Sequence, residues 1–381
     1  MRRCSLLTGT SILAMALTLA ACTSDAADRG RGPAATDVAS ASSAEDIGGM
    51  EELIRAAKAE GELNVIGLRR DRVNYDEMLD AFTRTYGIKV NSLLPDASDQ
   101  DVLAAVTGPQ VQDAAPDVLN LGTDVAQQAA AQQLLAPYRV APWAQIPVTQ
   151  KDPGALWAND YGGYISIGCN AVVVPRCPNE MSDLLDRAYA GQVALTGDPT
   201  QAPAAFGAVW AAALANGGSL DNVGPGIDFF RRLKAVGNFN PVQATPATIQ
   251  SGQIPIAIDW DYLNVGLAET LAPQGVTWKV NVPKEVTFGS FYSQAISASA
   301  PHPAAARLWE EFLYSPEGQN ILLRGGMRPV LLPLMQAAGT VEAAVLAALP
   351  ETRAIVAVPT QQQKASAQQV VVERWSAVMS R

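Results

Sequence analysis

Histidine is almost missing: the 381 residues hold one, His302. A zinc hydrolase of the HExxH kind needs two, so that chemistry is excluded. His302 itself stands in Ala-Pro-His-Pro at a helix start and reads as a surface turn residue. No GxSxG, P-loop or GxGxxG stretch is present, which removes the commonest hydrolase and nucleotide-binding layouts. Cationic residues are short as well, with Lys+Arg 27 against Asp+Glu 37 and a net charge of −10. A phosphate backbone needs a basic face, so nucleic acid is not an expected partner. An acidic body suits a cationic ligand instead. Past the N-terminus, no run is long and apolar enough to cross a bilayer.

Cysteine is scarce too, and its four positions are informative. The opening MRRCSLLTGTSILAMALTLAAC pairs Arg2 and Arg3 with an uncharged apolar stretch from Leu6 to Leu19. This is the layout of a signal peptide over residues 1–21. Its LAAC end resembles a bacterial lipobox, so Cys22 is expected to be acylated, with palmitate among its chains, and to become the mature N-terminus. Residues 22–46, rich in Ala, Ser, Asp and Gly, read as a flexible tether. Cys4 would leave with the leader. Cys169 and Cys177 then remain outside the cytoplasm, close enough in sequence to be a disulfide candidate. Two thiols without ligand-like neighbours make a poor metal site, and no metal or cofactor is expected.

From residue 47 on, apolar spacing alternates between helix and strand periods. Met50, Leu53, Ile54 and Ala57 share a helical face that Gly61 stops, and Leu63 to Leu68 reads as a strand. Tyr75, Met78, Leu79, Phe82 and Tyr86 give a second helix, followed by strands at 88–94 and 116–122. Alternating strands and helices predict an α/β protein with a mostly parallel sheet. Trp157 to Asn170 changes texture and reads as a crossing into a second lobe. Helices are expected at 204–214, 227–236 and 303–313, and Ser315 with Pro316 opens another as N-cap and first residue. The chain ends in a helix near 370–379.

The stretch Ile254 to Asn264, IPIAIDWDYLN, carries the densest chemistry. A short buried strand runs into Asp259, Trp260, Asp261 and Tyr262. Ligands of open α/β sheets bind beyond the carboxyl ends of strands. Two acids can pair ammonium groups, and two rings can offer cation–π faces. Alternation along an extended chain puts acids on one side and rings on the other, unless a helix begins at Asp261. Helix capping by the acids and rim packing by the rings is the competing account of the same residues.

Several segments together resemble the extracellular solute-binding proteins of bacterial ABC importers. They are KAEGELNVIGL, AFTRTYGIKV, PDVLNLG, SGQIPIAI and APHPAAARLWEEFLYSPEGQ. The chain looks like the two-lobed group that includes iron, polyamine, thiamine and phosphonate binders. That resemblance implies a two-lobed periplasmic-binding-protein type II fold with the solute in an interlobe cleft. Lobe 1 would span 47–160 plus 285–325, and lobe 2 would span 161–284 plus 326–381. It implies a non-enzymatic monomer, exported and lipid-anchored to the outer face of the cytoplasmic membrane or in the periplasm, that serves a permease.

The ligand candidates from lobe 1 are Asp71, Asn74, Tyr75 and Asp96. From lobe 2 they are Tyr164, Asp198, Thr200, Asp259, Trp260, Asp261 and Tyr262, and Tyr292 lies on the returning strand. Asp99 and Asp124 read as helix caps. A polyamine-like organic cation is the favoured solute, with ferric iron or a phosphonate as alternatives. Iron-binding relatives often use a neighbouring tyrosine pair, where this chain has Phe291-Tyr292. A secreted hydrolase using Asp259 and Asp261 as a carboxylate pair is the other class of reading.

Overall fold

The computed structural model describes residues 37–108, 115–285, 287–352 and 357–379. The leader, Cys22 and the tether as far as residue 36 lie outside the described residues. Residues 37–46 are held by the body, contrary to what their composition suggests. Ala41, Ala44 and Ile47 are buried in the first core, and Arg307 donates to the carbonyls of Ala39 and Ala41. Residues 37–46, expected to belong to a tether, are thus part of the packed body.

The first part of the chain holds α1 (Ala44–Ile47), α2 (Met50–Glu60), β1 (Glu62–Ile66), α3 (Tyr75–Tyr86) and β2 (Lys89–Leu93). It continues through α4 (Asp99–Thr107), β3 (Val118–Gly122), α5 (Thr123–Ala131), β4 (Leu135–Ala136) and the long β5 (Ala158–Asn170). Next come β6 (Val193–Leu195), α6 (Pro203–Ala215), α7 (Gly224–Ala235), α8 (Pro246–Gln250), β7 (Ile256–Trp260) and α9 (Asp261–Leu271). The return is made by β8 (Trp278–Asn281), β9 (Gly289–Ser297), α10 (Pro303–Leu313), α11 (Pro316–Arg324) and β10 (Arg328–Pro329). The chain closes with α12 (Leu332–Ala338), α13 (Ala343–Ala348) and α14 (Gln361–Met379).

The strands pair in the order β2-β1-β3-β9-β5-β7-β6. β1 is parallel to β2 and β3, as helical connections require, and β6 is parallel to β7. The crossing strands break the parallel pattern: β9 is antiparallel to both β3 and β5. β5 links the halves. Its residues 158–164 pair with β9, and residues 165–170 pair with β7 and β8.

Period-two alternation divides the first half's core. Leu63 and Val65 of β1 face α2, α3 and α10, whereas Ile66 joins Leu119 and Leu121 under α4 and α5. The second half packs Ile165, Ile167, Ile256 and Ile258 against α6, α7 and the inner face of α14. One boundary moves. Met327, Val330, Leu331 and Met335 sit in the first core, so the chain stays in that lobe past 325. α14 then crosses, seating Ala367, Val371, Trp375 and Val378 in the second core. Cys169, at the end of β5, is disulfide-bonded to Cys177. His302 is no bare turn residue: its Nδ1 lies 2.8 Å from Asp117, whose other oxygen accepts its backbone N–H.

Candidate functional site

β7 is buried through Ile258, and α9 begins at Asp261 directly after its carboxyl end. The helix breaks the alternation between acids and rings, and the two acids part company. Asp261 is 1% exposed. Its carboxylate accepts the N–H groups of Tyr164 (2.8 Å) and Tyr262 (3.0 Å) and pairs with Arg328 at 3.2 Å. Tyr164, 9% exposed, holds its ring against the same guanidinium at 5.2 Å. Asp261 and Tyr164 therefore serve the fold and line neither chamber of the cleft.

Asp259 faces the other way. It lines a chamber of about 930 Å³. One of its oxygens accepts the N–H of Trp260 at 2.8 Å, and no cationic side chain forms an ion pair with it among the described residues. Burial lifts its carboxyl to about 7, while the Trp260 N–H and the charge of Arg72 pull it back. A largely covered carboxylate without a cation is costly to keep ionised.

A second chamber of about 580 Å³ adjoins the first, and Tyr262, Tyr292, Asp99, Gln100 and Pro203 line both. Its walls are aromatic: Phe206, Trp210, Trp260, Phe288 and Phe291. Trp260 stacks on Phe288 with centroids 6.4 Å apart, and Tyr292 stacks on Tyr161 at 5.5 Å. The adjacent glycines of β5 make these ring positions possible. A Cβ on Gly163 would lie 2.4 Å from the Tyr262 ring, and one on Gly162 would lie 2.2 Å from Phe291.

The first-lobe wall is a charged loop. Arg69 binds both oxygens of Asp71, at 2.9 and 2.7 Å, and reaches Asp96 at 2.8 Å. All three line the larger chamber with their charges largely satisfied. Arg72 beside them has no carboxylate in ion-pair reach among the described residues, and acts through space on Asp259, Tyr262 and Tyr292. Tyr75 reaches the chamber from beneath, accepting from Asn120 at 2.7 Å and donating to the buried Asp160 at 3.3 Å. Across both chambers the lining holds five carboxylates and three cationic side chains.

Besides Asp261 and Tyr164, three more expected residues stand outside both chambers: Asn74, Asp198 and Thr200. Asn74 donates to Glu77 and to the Ile321 carbonyl at the foot of α3. Asp198 accepts from the N–H and hydroxyl of Thr200, both at 2.8 Å, and the two close a turn on each other. Conversely, Asp99 and Asp124 belong to the lining, although capping was expected of them. Ser98 caps α4 in a capping box with Asp101, which frees Asp99 to accept the Gly122 N–H. Asp124 pairs with Lys364 of α14 at 3.2 Å. No local signal announces that contact, because its partners are 240 residues apart. Among the described residues, no group of His, Cys, Asp and Glu is arranged to hold a metal, and no helix is long and apolar enough to cross a membrane.

The sequence profile of a family described as bacterial extracellular solute-binding protein matches residues 113–361. No curated protein matches the chain. Among solved structures, the chain is similar to the spermidine/putrescine ABC transporter substrate-binding protein PotD of Streptococcus pneumoniae. The identity is 16% and the TM-score 0.62, over 83% of this chain and 99% of that one. Ferric iron-binding protein A of Mannheimia haemolytica, in an open conformation, is 16% identical with a TM-score of 0.59, over 84% and 98%. AfuA of Actinobacillus pleuropneumoniae, with fructose-6-phosphate bound, is 18% identical with a TM-score of 0.58, over 84% and 99%. Likeness at these identities establishes the α/β fold of periplasmic binding proteins and leaves the ligand open.

Proposed function

This chain belongs to the bacterial extracellular solute-binding proteins, and on that premise we propose that its cleft captures a small organic cation, polyamine-like in chemistry, for an ABC importer. Asp259 carries the reading: a largely covered carboxylate at a strand end, facing the cleft, with no cation paired to it among the described residues. An ammonium group seated there supplies the missing charge through a charge-assisted hydrogen bond. Tyr262 and Tyr292 beside it offer ring faces, worth about 0.5–2 kcal/mol each to a desolvated cation. Asp71 and Asp96 add negative potential, although Arg69 holds both. The family binds solutes and is not enzymatic. A carboxylate-pair hydrolase also fails on geometry, since Asp261 is buried on Arg328 while Asp259 faces the cleft.

Ferric iron is the second reading, favoured by four tyrosines, Tyr75, Tyr161, Tyr262 and Tyr292, lining one chamber. Burial raises all four phenols, with Tyr75, Tyr161 and Tyr262 well above their ordinary value, which disfavours the phenolate form and weighs against this reading. A thermal-shift series with putrescine, spermidine, ferric citrate and a phosphonate separates the classes by mass action. Stabilisation by the amines, lost in Asp259→Asn, supports the cation reading. Stabilisation by the phosphonate alone overturns it and moves the site to Arg72.

The anchor is proposed on the LAAC sequence at Cys22. Radiolabelled palmitate should enter the parent and not a Cys22→Ala variant, and an unlabelled parent rejects the anchor. Delivery to a permease by a monomeric receptor follows from the same premise.

A further inference from the structure

The smaller chamber contains a cation that belongs to the protein. Lys364 projects from the first turn of α14, and its Nζ lies 3.2 Å from Asp124 at the start of α5. Asp99 lies beside this pair, and both Asp124 and Lys364 act on its carboxyl. The ion pair joins the two halves of the molecule. Asp124 rides on a helix whose Val125, Ala126 and Ala129 sit beneath the first sheet, whereas α14 is rooted in the second core. α14 is held at its start as well. Thr360 and Gln363 cap it reciprocally, Gln363 donates to Asp221, and Gln368 donates to the Thr200 carbonyl.

We propose that Lys364 is a specificity-determining residue, a tethered ammonium that occupies the second acidic position of the cleft and penalises solutes with two cationic ends. The inference rests on the reading of Asp259 as the anchor for a solute ammonium. The two acidic positions share Tyr262 and Tyr292 as a common wall, so a chain anchored at Asp259 extends past these rings toward Asp99 and Asp124. A monocation with a neutral far end meets an aromatic chamber whose charge Lys364 has already reduced. A dication must displace Lys364 from Asp124, and both ammonium groups then compete for the same carboxylates. Lys364 thereby narrows the polyamine-like class toward single-headed amines.

The test compares n-butylamine with putrescine, which share a four-carbon chain and differ by one ammonium, by titration calorimetry. In the parent, n-butylamine binds. In Lys364→Met the putrescine-to-butylamine affinity ratio is expected to rise about three- to tenfold, the scale of a partly exposed ion pair gained without a competitor. Butylamine affinity itself should change less than about twofold. Adding Asp124→Asn should return the ratio to the parental value, which a general loosening of the cleft would not do. An unchanged ratio in Lys364→Met, with both amines bound, overturns the role of Lys364 and leaves the cation reading intact. Failure of both amines to bind the parent overturns the two together.

Discussion

Asp259 and Asp261 stand two positions apart and do opposite work. Asp261 is buried with Arg328 and two N–H donors, so its charge is compensated inside the protein. Asp259 is largely covered and has no ion-pair partner among the described residues; the Trp260 N–H and the more distant Arg72 offset its burial only in part, so its charge is held more cheaply once a cation arrives. Its carboxyl at about 7 stands above the ordinary value of 3.8. The folded state therefore keeps a proton that the unfolded state has released, and stability falls as pH rises from about 4 to about 7. Asp259→Asn should raise apo stability by about 1–2 kcal/mol at pH 8 and have little effect below pH 4, measured by denaturant titration. For the parent, amine affinity should weaken about tenfold from pH 8 to pH 6 as the carboxylate takes up its proton. An affinity independent of pH over that range would show that Asp259 is not the anchor.

At the scale of elements, β5 does more than cross between halves. Its Gly162 and Gly163 leave room for Phe291 and Tyr262, so a backbone without side chains sets the rings of the cleft. Gly163→Ala should force the Tyr262 ring aside. The expected cost is about 1–3 kcal/mol by overpacking, together with a loss of amine affinity. Chemical denaturation and calorimetry on the same variant measure both. Full stability and affinity in Gly163→Ala would mean that the ring is not held by this close contact. α9 matters equally, because starting the helix at Asp261 turns that acid inward to the Tyr164 N–H and leaves Asp259 on the cleft side.

The described residues pack as two halves joined by β5, the passage from β8 to β9, and the passage to α14. Two halves joined by three crossings are the arrangement that suits hinge closure on a solute. A saturating amine should contract the protein in small-angle scattering, and an unchanged radius of gyration would argue against closure. The Cys169–Cys177 bond sits within the second half, at the far end of β5 from the cleft. It lies away from the rings and carboxylates that line the two chambers.

Much of this was legible in the chain. Helical and strand periods located most elements, since amphipathic spacing is a local property, and the segments resembling solute-binding proteins carried the family. Asp259, Trp260, Tyr262, Tyr292, Asp71 and Asp96 were identifiable as polar or aromatic residues at strand ends, and they line the cleft. Asp261 and Tyr164 looked equivalent to them, because a one-dimensional pattern does not show that Arg328 arrives from 67 residues away. Asp99 and Asp124 looked like caps, because only the three-dimensional geometry shows that Ser98 caps α4 and that Asp124 lies inside the first turn of α5 behind Gly122. Composition and periodicity depend on the residues along the chain, so they determined the elements, the acidic character and the expected export. Which carboxylate keeps a cation of its own depends on distances across the fold, and the tertiary structure decided that.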